Sequence, residues 1–148
     1  MEIKKLAKDD IPMALDLVLN VFMEYEAPDY SEQGIETFKN CIKDDQWLQS
    51  LQVLGAYMNN SLVGVIATRN NGNHIALFFV KGKYHRQGIG RRLFDRVVEN
   101  CTSNTITVNS SPYAVKIYRH LGFAETQAEQ LTDGMRYTPM SFVKNINV

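Results

Sequence analysis

Long apolar runs are missing from this chain. No segment approaches the roughly 20 apolar residues that a bilayer demands, and Met1-Glu2-Ile3-Lys4-Lys5 lacks the apolar core of a secretory signal. The expected setting is therefore the cytoplasm, with no membrane partner. Net charge is missing too: 16 Lys and Arg balance 16 Asp and Glu, which argues against a nucleic-acid partner held by bulk electrostatics. Cysteine is scarce. Cys41 and Cys101 stand far apart in apolar settings, and they read as buried free thiols in a reducing compartment. There is no CxxC and no His/Cys cluster at metal-ligand spacing, so no metal is expected. Repeats, low-complexity tracts and linkers are absent, and 148 residues suffice for one real core. A single domain spanning 1–148 is expected.

The charge that is present is sorted along the chain. From Asp9 to Phe38 there are eight acids and no Lys or Arg, whereas Lys81 to Arg96 holds six basic residues against Asp95 alone. Solvated helix faces account for the individual residues. The separation as a whole suits a protein that brings an anionic ligand and a cationic one together.

Periodicity and turn chemistry give the order β-α-α-β-β-β-α-β-α-β-β. Ile3 to Leu6 reads as a short strand. Asp9-Asp10-Ile11-Pro12 starts a helix, with Ile11, Leu15, Val18, Leu19 and Phe22 at helical spacing. Ala27 to Ser31 breaks it, and Ser31 starts a second helix burying Ile35, Phe38, Ile42 and Trp47. Gln52–Met58 and Leu62–Thr68 form a hairpin around Asn59-Asn60-Ser61, followed by a strand from His74 to Val80. Ile89, Leu93, Val97 and Cys101 mark a helical stripe. Thr105 to Asn109 is a β-branched strand, Ser111-Pro112 starts the next helix and Gly122 ends it. Phe123–Thr126 and Met135–Val143 are closing strands. The fold class is α/β (α+β): a mixed twisted sheet of about seven strands with helices on both faces. Pro139 suits an edge strand or bulge, and such an edge is where a homodimer would pair.

The most informative segment is His85-Arg86-Gln87-Gly88-Ile89-Gly90-Arg91-Arg92. A buried strand runs into a glycine turn, and the turn opens a helix. A helix start offers unpaired N–H groups and partial positive charge, which suit a phosphate. The string is not a P-loop, which needs G-x-x-x-x-G-K-[ST]. Nor is it a dinucleotide fingerprint, because Leu93 stands where the third glycine belongs. It resembles the acetyl-CoA motif [RQ]-x-x-G-x-[GA] of the GCN5-related N-acetyltransferase (GNAT) family, with His85 in place of the usual Arg or Gln. Ala114-Val115-Lys116-Ile117-Tyr118-Arg119-His120-Leu121-Gly122-Phe123 resembles the A-x-x-x-Y-x-x-x-G-F ending of the same family. The likeness is greatest to small bacterial members and extends over nearly the whole chain.

The resemblance implies the acyl-CoA N-acyltransferase fold, acetyl-CoA as cofactor, and transfer of its acetyl group to a primary amine by direct attack in a ternary complex. It implies that the strands ending at Val80 and Asn109 run parallel and splay, with the cofactor between them. Pyrophosphate would lie on His85, Arg86, Gln87, Gly88, Ile89, Gly90 and Arg91. The pantetheine arm would pair with the backbone of Phe78, Phe79 and Val80, near Ser111, Ala114 and Tyr118. Tyr118 occupies the position of the family's acid for the leaving thiolate; a core tyrosine is the alternative. His74 is a candidate general base, placed where histone acetyltransferases of the family carry a glutamate. Glu24 and Glu26 compete for that role or bind the ammonium, with Tyr30 beside them. The acidic segment suggests a cationic small amine or a lysine-like group. A non-catalytic acyl-CoA-binding or sensor domain is the alternative function.

Overall fold

The computed structural model describes residues 1–144. Eight strands form one sheet: β1 (Glu2–Lys5), β2 (Gln52–Met58), β3 (Ser61–Arg69), β4 (His74–Val80), β5 (Thr105–Ser110), β6 (Ala124–Glu125), β7 (Gln130–Thr132) and β8 (Met135–Val143). The order across it is β1-β2-β3-β4-β5-β8-β6, with β7 also paired to β8. The sequence suggests about seven strands; the eighth, β7, is three residues long and too short to carry a period. Among the described residues there are five α-helices: α1 (Ile11–Val21), α2 (Glu32–Cys41), α3 (Asp45–Gln49), α4 (Ile89–Asn100) and α5 (Val115–Leu121).

Turn chemistry sets the hairpins. Asn59 and Asn60 both have positive φ (51° and 65°) and join Met58 to its partner Ser61. A two-residue turn of this hand matches strand twist, and asparagine tolerates it. Asp133 and Gly134 do the same between Thr132 and Met135. Trp47, expected on the helix begun at Ser31, instead belongs to the separate α3. That helix is capped by Asp44, whose side chain accepts from the Trp47 N–H at 3.1 Å. Pro139, expected at an edge or bulge, lies within β8, between β5 and β6. It stands opposite Asn109, and its carbonyl accepts from the Thr126 N–H at 2.9 Å.

The core has two layers, one on each face of the sheet. Leu17, Val18, Phe22 and Phe38 from the α1–α2 side pack with Leu77 and Phe79 of β4. Leu93, Phe94, Val97 and Tyr118 from α4 and α5 pack with Ile75, Ile106 and Met140. Each such fully buried side chain contributes about 1.5–3 kcal/mol.

Strict alternation would put Ile75, Leu77 and Phe79 on one face, yet Ile75 belongs to the other layer. A bulge is the cause. Leu77 pairs with Ala67 and Ile75 with Thr68, so Ala76 has no partner on β3. A bulge of this kind bends its strand and increases the local twist. Parallel pairing of β4 with β5 extends over His74↔Thr107 and Ile75↔Val108 only, stopping where the bulge begins. From Ala76 onward β4 diverges from β5, and the strands open a gap through the middle of the sheet.

Candidate functional site

Two cavities meet at that gap. The larger, about 720 Å³, is bounded by Phe78, Phe79 and Val80 of β4, by the glycine turn, and by α5. The smaller, about 250 Å³, lies on the other side, against α2, α3 and the start of β8. Glu26, Phe78, Phe79, Ala114 and Tyr118 line both.

The glycine turn is shaped by left-handed backbone. Arg86 has φ 63° and Gly88 φ 82°; the first is uncommon for a side-chain-bearing residue and marks a turn held by its surroundings. Gly88 sits at the N-cap of α4, and no side chain caps the helix. The first N–H groups of α4 therefore keep their capacity for an anion. Gly88, Gly90, Arg86 and Arg91 all line the large cavity, with Lys116 on the opposite rim. His85 lines it as well and donates from Nε2 to the Val80 carbonyl at 2.6 Å, bracing the turn against the strand end. Gln87 is exposed and donates to the Lys83 carbonyl at 3.3 Å; it does not line the cavity.

The strand edge is equally specific. Lys81 N–H donates to Val63, so by antiparallel alternation the Phe79 amide turns toward β3. The backbone of Phe78 and the N–H of Val80 face the gap, the Val80 carbonyl being held by His85. A ligand with an anionic end and an extended amide-bearing arm fits these features, as an added strand on a free edge. Tyr25 and Tyr113 cover the cavity, their rings 5.4 Å apart, with Tyr25 4.9 Å from the His85 ring. Tyr113 and Lys116 lie outside the motif positions singled out by the sequence. The helical sequence 113, 116, 117, 120 puts both on one face, and all four residues line the cavity.

Of the acids, Glu26 reaches the junction. Beyond Val21 the helix widens into a π turn, Phe22–Glu26, in which the Ala27 N–H reaches back to the Phe22 carbonyl. Such turns are frequent at functional sites. Val18, Phe22 and Glu26 continue one stripe at intervals of four, so Glu26 points inward with the buried face. Glu24 points out, is exposed, and lines neither cavity. Burial pushes the Glu26 carboxyl up from 4.5 to about 7; the Ser111 hydroxyl opposes the shift, and Asp29 adds to it. Ser111 lines the smaller cavity, not the larger, and its Oγ also accepts from the Ala114 N–H at 3.3 Å.

Tyr118 is buried on α5, against Phe78 and Phe123. Burial, and then Glu26, hold its phenol well above the usual value. Tyr30 lines the smaller cavity, and its hydroxyl donates to the Arg136 carbonyl at 3.1 Å. His74 stands elsewhere. It occupies the closed end of the β4–β5 pair, its Nδ1 lies 2.8 Å from Thr107 Oγ1, and it lines neither cavity. Burial and the Arg69 charge lower its pKa to about 4, which keeps the ring neutral at physiological pH.

Among the described residues no group of His, Cys, Asp and Glu could hold a metal, and no helix is long and apolar enough to cross a membrane.

The sheet is parted at its centre, with the uncapped N-terminus of α4 at one end of the gap and the half-buried Glu26 at the other. The chain belongs to the GNAT acetyltransferase family: residues 26–144 match the model of the acetyltransferase (GNAT) domain. The fold is shared with a GCN5-related N-acetyltransferase from Rhodopseudomonas palustris (19% identity, TM-score 0.83, 96% of this chain and 94% of that one). It is shared too with the PaiA N-acetyltransferase of Thermoplasma acidophilum in complex with coenzyme A (21% identity, TM-score 0.68, 96% and 98%). A GNAT acetyltransferase from Elizabethkingia anophelis with acetyl-CoA bound is similar at 20% identity and TM-score 0.64, over 96% and 97%. No curated protein matches the sequence.

Proposed function

We propose that the chain is an N-acetyltransferase that uses acetyl-CoA and a primary amine, with Glu26 as general base. The position of Glu26 carries this reading: one carboxyl, tuned to about 7, stands where the two cavities join. A lysine-like amine has a pKa near 10.4, so at pH 7 about one molecule in a few thousand is nucleophilic, a deficit of about 4–5 kcal/mol. A base poised near the working pH is suited to taking that proton. Perturbed groups of this kind cluster at functional sites.

The α4 N–H groups, Arg86 and Arg91 would hold the cofactor's phosphates, and the Phe78 and Val80 backbone its extended arm. When bound, acetyl-CoA supplies a thioester whose C–S bond breaks as the new C–N bond forms, the nitrogen's second proton leaving with the sulfur. Glu26 receives the ammonium's first proton on a carboxylate oxygen. Tyr118 keeps its own proton, because its pKa is raised further above that of a thiol, near 8.5. It acts by donating a hydrogen bond at the junction. Tyr25 and Tyr113 exclude water from the larger cavity.

The test is calorimetric titration with acetyl-CoA, followed by thiol release with a panel of amines. Binding with turnover supports the enzyme. Binding with no turnover of any amine supports a sensor domain, and no binding refutes both.

A further inference from the structure

We infer that the acceptor is a monoamine carried on a compact apolar body, a single ring or a short branched or straight chain, and not a polycation. This rests on the acetyltransferase reading above and names the substrate class of its second cavity. The acid-rich segment from Asp9 to Glu36 suggests a strongly cationic acceptor, but the folded chain brings Glu26 alone of those acids into the smaller cavity. No second carboxylate lines it, and no Lys or Arg. Its walls are Phe38, Trp47, Leu77, Phe79 and Met135.

Two of the polar groups at its margin, Tyr30 and Thr37, already hold the structure together. The Tyr30 hydroxyl donates to the Arg136 carbonyl, and Thr37 Oγ1 donates to the Asp133 carbonyl at 2.7 Å. Both therefore fasten the β7–β8 hairpin over the cavity, their protons committed to its carbonyls. An ammonium entering here meets Glu26 at the junction, and the rest of the molecule meets mostly rings and aliphatic side chains. A second ammonium would be buried without a counter-charge, which is costly. The volume, about 250 Å³, gives room for one ring or a short chain.

The deciding measurement is kcat/KM from initial rates of thiol release at saturating acetyl-CoA. The series is propylamine to hexylamine, with 2-phenylethylamine, spermidine and kanamycin alongside. Each added methylene is expected to raise kcat/KM about fourfold until the cavity is full, the equivalent of about 0.8 kcal/mol per buried methylene. Hexylamine and 2-phenylethylamine should exceed spermidine by at least about a hundredfold. Trp47→Ala should lower kcat/KM for 2-phenylethylamine about tenfold and leave acetyl-CoA affinity unchanged. Faster turnover of spermidine or kanamycin than of hexylamine would overturn the apolar class and leave the acetyltransferase reading standing. Acetyl-CoA binding with no apolar amine acetylated would overturn it as well. Failure to bind acetyl-CoA would instead refute the reading underneath.

Discussion

Replacing Glu26 by Gln separates its charge from its shape, and two independent magnitudes follow. The first concerns stability. Its folded pKa of about 7 lies above the ordinary 4.5, so between those values the native state holds a proton that the unfolded chain has released. Stability contributed by this group is full below pH 4.5 and is lost as pH rises through about 7. At about 1.36 kcal/mol per pH unit, the displacement amounts to on the order of 3 kcal/mol. Gln does not titrate. E26Q should therefore match the wild type near pH 4 and exceed it at pH 8 by up to about 3 kcal/mol, read from denaturant unfolding at the two pH values. The second magnitude concerns rate. The wild-type kcat/KM should rise through a midpoint near 7, and E26Q should lose about 10²–10⁴-fold together with that limb. Parallel stability profiles would show that Glu26 is not buried as described. A variant within a few-fold of wild-type activity would remove Glu26 from the proton path.

Four further outcomes are expected. Tyr118→Phe should lower kcat by at least tenfold while acetyl-CoA affinity, read by calorimetry, stays the same; equal losses in both would make it a packing residue. Gly88→Glu combines a left-handed position, costing about 1–2 kcal/mol, with a negative charge at the α4 N-terminus, and should abolish acetyl-CoA binding while circular dichroism remains native. His74→Ala should leave the pH dependence of kcat/KM unchanged, because the ring faces Thr107 and lines neither cavity; a shifted limb would restore it as a candidate base. Gly34→Ala would put a Cβ 2.3 Å from the Gly134 carbonyl oxygen, so it should cost about 1–3 kcal/mol and raise KM for the amine, as the hairpin bearing Met135 is pushed off α2.

What the sequence reveals here is whatever is encoded locally. The glycine turn, the Asn59-Asn60 hairpin and the amphipathic stripe of α4 each follow from a few neighbouring residues, and the structure contains all three. The cap at Asp44 is equally local, and it is what separates α3 from the helix before it. The bulge at Ala76 has no local signature, since alanine is unremarkable in a strand; the face change at Ile75 arises only through pairing with β3. Choosing between Glu24 and Glu26 needed nothing more than the Val18–Phe22 stripe carried one step further. The apolar walls of the smaller cavity were out of reach. Phe38, Trp47, Leu77 and Met135 come from four separate elements and converge only in three dimensions.

Two residue pairs, His74↔Thr107 and Ile75↔Val108, are all that stitch β4 to β5. The halves of the molecule thus meet across a seam that is closed at one end and unlaced along the rest. A compound that laces the seam ties the halves together, and one present at a hundredfold excess over its dissociation constant adds about 2.7 kcal/mol to global stability. That increment is enough to change a protein's abundance severalfold where unfolded chains are degraded. The split that opens the site thereby ties the stability of this protein to whatever fills it.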